Sequence, residues 1–339
     1  MSRLAGQPAS LRICRDPRLW ASDVFLGQPH RKTALTIGIF DGIHLGHQQI
    51  FHRVAEEARS DSPSLLPAVV TFDPHPFRVL RPEQAPPLIA TLDQRLAGFA
   101  RHGLEAALVL KFDLVLSQLS PEDFVRTILV EQLQAACIFV GENFRFGHKQ
   151  AGDVSRLEQL GKQSGFRVMI VPPVRVEGEI VSSTAIRGAV HQGDVNRAAQ
   201  LLGRPFSLAG QIQPGAGRGR TVLFPTLNLA PEQELLPKAG VYVTETEIAG
   251  ARYRSATNVG YRPTVDSPAT PRLTVESHLL DFDQPVTSGQ IEVAFLHRLR
   301  DEMKFASVDA LRQQIASDLD ETRRYFSERA AAPAVKSSN

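Results

Sequence analysis

His44 and His47 lie three residues apart in the segment FDGIHLGH, residues 40–47. On a helix that spacing puts both imidazoles on one face. Asp41-Gly42 supplies turn chemistry. Gly46 removes a side chain where a phosphate could approach the backbone. The first amides of a helix point outward and carry partial positive charge, so the start of a helix suits an anion. Phe40, Asp41, Gly42 and Gly46 therefore make a candidate nucleotide-phosphate cradle. Imidazoles beside it can donate hydrogen bonds to charge developing on a phosphate, which is electrostatic help for nucleotidyl transfer without a protein nucleophile. The alternative is a structured turn with incidental histidines, the reading given to His52 one turn further on.

Three other segments fit the same chemistry. In VSSTAIR, residues 181–187, Ser183 and Thr184 are good helix caps. Arg187 follows one turn later, where its fork can clasp a phosphate. TFDPHP, residues 71–76, supplies Asp73 and His75; its prolines argue for a rigid turn and leave the role of His75 open. GENFRFGHKQAGD, residues 141–153, offers Asn143 and Arg145 interleaved with Phe144 and Phe146. Such a loop could stack on and hydrogen-bond a planar ring, or be a surface loop with core aromatics.

A second cluster lies further on. GAGRGRTVLFPTLN, residues 215–228, places Gly217, Arg218 and Gly219 in a basic, glycine-rich stretch suited to a flap over phosphates. In FPTLN, Thr226 and Asn228 are two apart, so in extended chain they face the same way. They offer two oxygen ligands to a hard cation such as Mg²⁺, which keeps waters and binds substrate phosphates. In VESHLLDFD, residues 275–283, Glu276, His278 and Leu280 share one face and Val275, Ser277 and Leu279 the other. Glu276 is a candidate general base for a substrate hydroxyl; the alternative is a solvated carboxylate on an outer face.

The elements that must position these residues change character along the chain. Apolar runs at 34–39, 67–73, 106–112, 136–141 and 166–174 alternate with helical patterns at 48–58, 91–102, 121–133 and 154–164. Alternation of this kind predicts a parallel sheet with helices on both faces and ligands at the carboxyl ends of the strands. After a helix over 184–202, six strand-like runs crowd together with little helix between them, which predicts a small antiparallel barrel. A final helix over 308–326 repeats Val308, Leu311, Ile315, Leu319, Thr322 and Phe326 at helical spacing, giving one face to dock. The expected division is 1–187, a connecting helix 188–204, a barrel domain 205–329 and a disordered tail 330–339.

Bulk properties narrow the classes. The chain has 339 residues, 42% hydrophobic and 22% charged, a globular balance with room for two domains. A formal net charge of +2 is too small to argue for nucleic acid or a membrane surface, and neither is expected as a partner. No apolar run approaches the roughly 18 residues of a membrane span, and no signal peptide is evident. Cys14 and Cys137, the two cysteines, read as buried thiols in a reducing cytoplasm.

Together these motifs resemble the bacterial bifunctional riboflavin kinase/FAD synthetase family over about residues 31–326. FDGIHLGH, TFDPHP, SPEDFV, GENFRFG with AGD, VSSTAIR, LLGRPF, FPTLN, GVY, NVGYRPT, VESHLLDF and RDEMKF occur in the family's order. The resemblance implies a Rossmann-like nucleotidylyltransferase domain followed by a six-stranded Greek-key barrel. It implies that the barrel phosphorylates riboflavin to FMN, and that the first domain transfers AMP from a second ATP to FMN, giving FAD and pyrophosphate. Carried over, His44 and His47 stabilise the α-phosphate transition state. Ser183, Thr184 and Arg187 hold the triphosphate, and Asn143, Arg145 and Asp73 line the flavin-phosphate end. Thr226 and Asn228 bind Mg²⁺-ATP, and Glu276 is the base. The implied small molecules are ATP, riboflavin and FMN. Leu223 stands where the family usually has Gly, Asn143 where many members have Asp, and VTSG at 286–289 replaces a Leu-Tyr-Gly-like turn. These departures motivate a second reading, FAD synthesis with a weakened kinase barrel. A third, from another class, is a flavin-binding regulatory module. Oligomeric state is not legible in the sequence.

Overall fold

The computed structural model describes residues 11–26, 31–60, 65–213, 226–262, 272–282, 284 and 286–331. The chain forms two compact units, 1–86 with 90–183, and 87–89 with 184–339.

The first unit is built on six parallel strands: β1 (Arg12–Cys14), β2 (Thr33–Ile37), β3 (Leu66–Asp73), β4 (Ala106–Lys111), β5 (Ala135–Gly141) and β6 (Arg167–Val171). Their order across the sheet is β1-β4-β3-β2-β5-β6. Five follow the apolar runs of the sequence. The sixth, β1, is three residues long, too short for periodicity to register. A short hairpin, β7 (Arg175–Val176) with β8 (Glu179–Ile180), follows.

Successive strand residues face opposite sides, and each side has its own core. On one, Leu35, Ile37, Val70, Leu108 and Ile138 pack with Trp20 of α1 (Trp20–Asp23). Phe124 and Leu129 join them, from a helix that starts as α6 (Pro121–Asp123) and continues in π-helical turns over Phe124–Gln132. Leu157 of α7 (Val154–Ser164) completes that side. On the other, Ala34, Val69, Val109 and Phe139 pack with Phe51 and Val54 of α2 (Leu45–Ser60) and with Leu96 and Phe99 of α4 (Leu92–Arg101). Short helices α3 (Pro76–Leu80) and α5 (Leu114–Ser117) follow β3 and β4. Cys14 and Cys137 are buried on opposite sides of the sheet.

The sheet order reverses between β2 and β5. An open α/β sheet has its binding crevice at such a switch point. FDGIHLGH follows β2 and GENFRFG follows β5, so the two motifs flank it.

The second unit begins with a helix that is not continuous. Gly193 (φ 80°) ends α8 (Ser183–Gln192), and the Asp194 side chain caps α9 (Val195–Leu202) by accepting from the Arg197 amide. α9 packs on the barrel strands β9 and β14. The barrel is closed and antiparallel: β9 (Phe206–Gln213), β10 (Leu227–Pro231), β11 (Gly240–Ile248), β12 (Ala251–Arg262), β13 (Arg272–Leu279) and β14 (Gln290–Arg300). The run β14-β11-β12-β13 is the Greek-key order, three consecutive strands with the fourth beside the first. The last helix, α10 (Val308–Ala331), runs into the expected tail. Leu319 packs with Ala256 and Leu280, while Val308 is exposed, so the docking face starts later than the apolar repeat. Asp318 of α10 is buried and takes a two-pronged hydrogen bond from Arg300 of β14, Nε at 2.9 Å and Nη2 at 2.7 Å.

β10 leaves no room for a side chain at Gly210 of β9: a Cβ there would lie 1.9 Å from the Ala230 carbonyl oxygen. We expect G210A to destabilise the barrel by about 2 kcal/mol or more. Thermal unfolding should show this while the first unit keeps its own transition; an unchanged barrel transition contradicts the close packing.

Candidate functional site

The turn after β2 is tightly wound. Phe40 (φ 54°), Gly42 (φ 88°) and Ile43 (φ 48°) all have left-handed backbone, a conformation that costs free energy at non-glycine residues. Surrounding contacts hold it. Phe40 is buried edge-on against Phe51 (4.9 Å) and His47 (5.1 Å), so its ring is committed to packing. The buried Asp41 carboxylate accepts the Ala90 amide at 3.1 Å. The Asp41 carbonyl accepts the Ser183 hydroxyl at 3.0 Å, so VSSTAIR meets FDGIHLGH through a direct bond.

His44 ends the turn and starts α2. Its Nδ1 accepts the His47 backbone amide at 3.3 Å, so the imidazole itself caps the helix. With Nδ1 an acceptor, the ring proton sits on Nε2. The His44 and His47 rings stack, centroids 3.5 Å apart. Burial pushes the His44 pKa down to about 4. His47 is also pushed well below its ordinary value, by burial first and then by His44. Both imidazoles are neutral at pH 7. They can then offer single N–H dipoles to a phosphate, not a second positive charge. A Cβ on Gly46 would lie 3.2 Å from the His44 ring, which explains the glycine as room for the imidazole.

His75 has a structural task of the same kind. Its Nδ1 accepts the Phe77 amide at 3.1 Å and caps α3. Asp73, half-buried at the carboxyl end of β3, lies 3.8 Å from Arg95 Nη2. In GENFRFG, Phe146 belongs to the core and Phe144 packs against it. The aromatics are therefore core residues, leaving Asn143 and Arg145 exposed. Arg145 pairs with Asp153 at 3.3 Å, and Asp153 also caps α7. Thr184 is exposed, and Arg187 donates from Nε to the Pro87 carbonyl at 2.8 Å.

Arg95 escaped the sequence reading. Its side chain is 2% exposed, and Nη1 donates to the Ile39 carbonyl at 2.9 Å and the Thr71 hydroxyl at 3.1 Å. Burial pulls its pKa below the ordinary guanidinium value, against the opposing pull of Asp41 and then Asp73. The signal was legible: Leu92, Arg95, Leu96 and Phe99 form the apolar stripe of α4, with a charge at a core position.

In the barrel, Asn228 of β10 and Asn258 of β12 both stand opposite Glu276 of β13 in register. Directly opposed residues share a face, so the three make one row across three strands. Val275, Ser277 and Leu279 are buried inside the barrel while Glu276 is half-buried on the other face. Thr226 is exposed, two residues before Asn228. Asn258 was not singled out in the sequence. Gly217, Arg218, Gly219 and Leu223 lie outside the described residues.

Comparison with known proteins agrees with this two-part layout. The FAD synthetase family model matches residues 27–185, and the riboflavin kinase model residues 202–326. The bifunctional riboflavin kinase/FMN adenylyltransferase of Pseudomonas fluorescens is 37% identical over 295 residues, 87% of this chain and 93% of that one. The chain belongs to that family. The Escherichia coli K12 protein of the same description is 33% identical over 299 residues, 88% of this chain and 94% of its own. A solved Streptococcus pneumoniae structure, described as a macrolide-efflux protein, matches with TM-score 0.79 and 30% identity. It covers 92% of this chain and 99% of its own. Among the described residues of this family member, no helix is long and apolar enough to cross a membrane.

The neutral histidines have a pH consequence. In the unfolded chain His44 takes up a proton near pH 6.5, whereas in the fold it resists until about pH 4. The unfolded state thus binds more protons between these values, and stability falls as pH drops through that window. The expected loss from His44 is on the order of 3 kcal/mol, complete below about pH 4. Thermal melts of wild type and H44Q across pH 4–7 measure it; equal slopes for the two contradict a neutral buried His44.

Proposed function

We propose that this chain makes FMN from riboflavin and ATP in its barrel unit, and FAD from FMN and a second ATP in its first unit. The observation that carries the reading is the stacked, neutral His44–His47 pair on a helix start at the sheet's switch point. It accompanies a barrel in which Glu276 stands between two asparagines. The riboflavin kinase match over 202–326 favours both activities over FAD synthesis alone.

In adenylyl transfer, an FMN phosphate oxygen forms a bond to the α-phosphorus of ATP, and the bond to the bridging oxygen breaks to release pyrophosphate. His44 Nε2–H and His47 are the groups assigned to the charge gathering on the α-phosphate, as preorganised dipoles. Ser183, Thr184 and Arg187 are assigned to the ATP phosphates. Asp73, Asn143 and Arg145 are assigned to the flavin-phosphate end. Phe40, Asp41 and Gly42 shape the turn beneath them.

In the barrel, the ribityl 5′-hydroxyl attacks the γ-phosphorus, Glu276 takes its proton and ADP leaves. The oxygen donors of Thr226 and Asn228, with Glu276 opposite Asn228, fit a hard cation. Thr226 and Asn228 are the residues proposed to hold Mg²⁺, which when bound neutralises phosphate charge. The glycines and arginine at 217–219 are proposed as the phosphate flap. Two buried cysteines on opposite sides of a sheet suit a reducing compartment, and the cytoplasm is the proposed location.

E276Q should abolish FMN formation from riboflavin and leave FAD formation from FMN within about twofold. Chromatography of the products separates the outcomes. Equal loss of both steps would overturn the two-site assignment; FAD formation absent in wild type would overturn the adenylyl-transfer reading.

A further inference from the structure

Arg95 is a costly residue to bury. An arginine cannot shed its charge in a protein, so its guanidinium must be satisfied where it stands. Nη1 donates to the Ile39 carbonyl at 2.9 Å, to the Thr71 hydroxyl at 3.1 Å and, at 3.4 Å, to the Phe72 carbonyl. Nη2 faces the Asp73 carboxylate at 3.8 Å. The Thr71 hydroxyl donates in turn to Ile39 at 3.2 Å, so Thr71 and Arg95 share one acceptor. Nε is buried with no hydrogen-bond partner among the described residues.

These partners have a common place. Ile39 immediately precedes the left-handed turn that carries His44 and His47. Thr71 and Phe72 immediately precede Asp73. Arg95 therefore ties the end of β2 to the end of β3 at the points where each strand leaves the sheet for the site. The helix that bears Arg95 also meets the same turn near its start, through the Ala90 amide on Asp41. At 2% exposure Arg95 touches no substrate.

We propose that Arg95 is a positioning residue for adenylyl transfer, its buried guanidinium holding the histidine turn and the Asp73 carboxylate at a fixed separation. The proposal rests on the reading of the first unit as the FMN adenylyltransferase. The fork geometry is essential to it. A lysine at 95 keeps the charge but presents one point donor, and cannot span both strand ends from one rigid plane. The groups assigned to the ATP phosphates, Ser183, Thr184 and Arg187, stay in place in such a variant, while the alignment of the attacking phosphate with the α-phosphate is lost. Misplacement by about 1 Å costs on the order of 100-fold in rate.

The test uses the full chain as R95K. Four quantities are read: ATP sites per chain by titration calorimetry, the riboflavin phosphorylation rate, and kcat and KM for FMN adenylylation. We expect the same number of ATP sites as wild type, phosphorylation within twofold, and KM values within about threefold. The adenylylation kcat should fall by about 30- to 100-fold. An adenylylation kcat within threefold of wild type overturns the proposal. So does a kcat loss that merely tracks a loss of ATP sites, which would make Arg95 a folding residue only. Should R95K fail to fold, T71V removes the hydroxyl shared by Arg95 and Ile39 with little change of shape. It should lower the same kcat by about tenfold with ATP sites retained, and an unaffected kcat overturns the proposal equally. Failure of the underlying reading looks different: wild type itself would then make no FAD from FMN.

Discussion

A parallel sheet sends all its strand ends in one direction, and there the ladder of backbone hydrogen bonds stops. The last carbonyls and amides must find other partners or remain unpaired in a low-dielectric interior. In the first unit the carboxyl ends of β2 and β3 are completed by side chains: Arg95 and Thr71 on Ile39, Asp41 on Ala90, Ser183 on Asp41. His44, His47 and Asp73 lie on the segments that these two strand ends carry. A turn with three left-handed residues in four draws only on Gly42 and the Ile43 amide on the Phe40 carbonyl from its own backbone, so contacts from outside must hold Phe40 and Ile43 in that shape.

The same economy explains the histidines. Under the proposed adenylyl transfer, a charged imidazole would add attraction in the ground state as well as the transition state, and only the difference accelerates a reaction. Burial and stacking keep His44 and His47 neutral. Capping the helix with Nδ1 then settles which nitrogen of His44 points a proton outward. One ring thus terminates a helix and presents a fixed dipole. His75 caps α3 in the same way, showing that an imidazole at a helix start is not by itself a sign of catalysis.

The barrel solves a different problem. Its interior is filled by Val275, Ser277 and Leu279, and by hydroxyls that bond to one another, such as Thr244 with Thr257 and Thr257 with Ser277. With the inside closed, reactive groups can stand only on the outer face. Antiparallel register puts Asn228, Glu276 and Asn258 in one row there, although they come from positions far apart in the chain. Glu276 is half-buried on that outer face, so position alone does not tell the proposed base from a solvated carboxylate. Its two asparagine neighbours in register are what favour the proposed role.

Much of this was legible in the sequence, and the reason is local. Strand and helix periodicity, turn residues and caps act over a few positions, so the alternating first half, the crowded strands of the second and the histidine motif stood out directly. The two-part architecture needed nothing more. What only the tertiary structure decided depends on residues distant in sequence. Strand β1 is too short to carry a pattern, and the break at Gly193 hid inside a helical stretch. The core role of Phe144 and Phe146 required knowing what lies against them. Arg95 is the sharpest case. Its spacing marked it as a core position and its charge argued against one. The conflict resolves only when folding brings the ends of β2 and β3 within reach of a single guanidinium, a long-range arrangement that local sequence pattern does not encode.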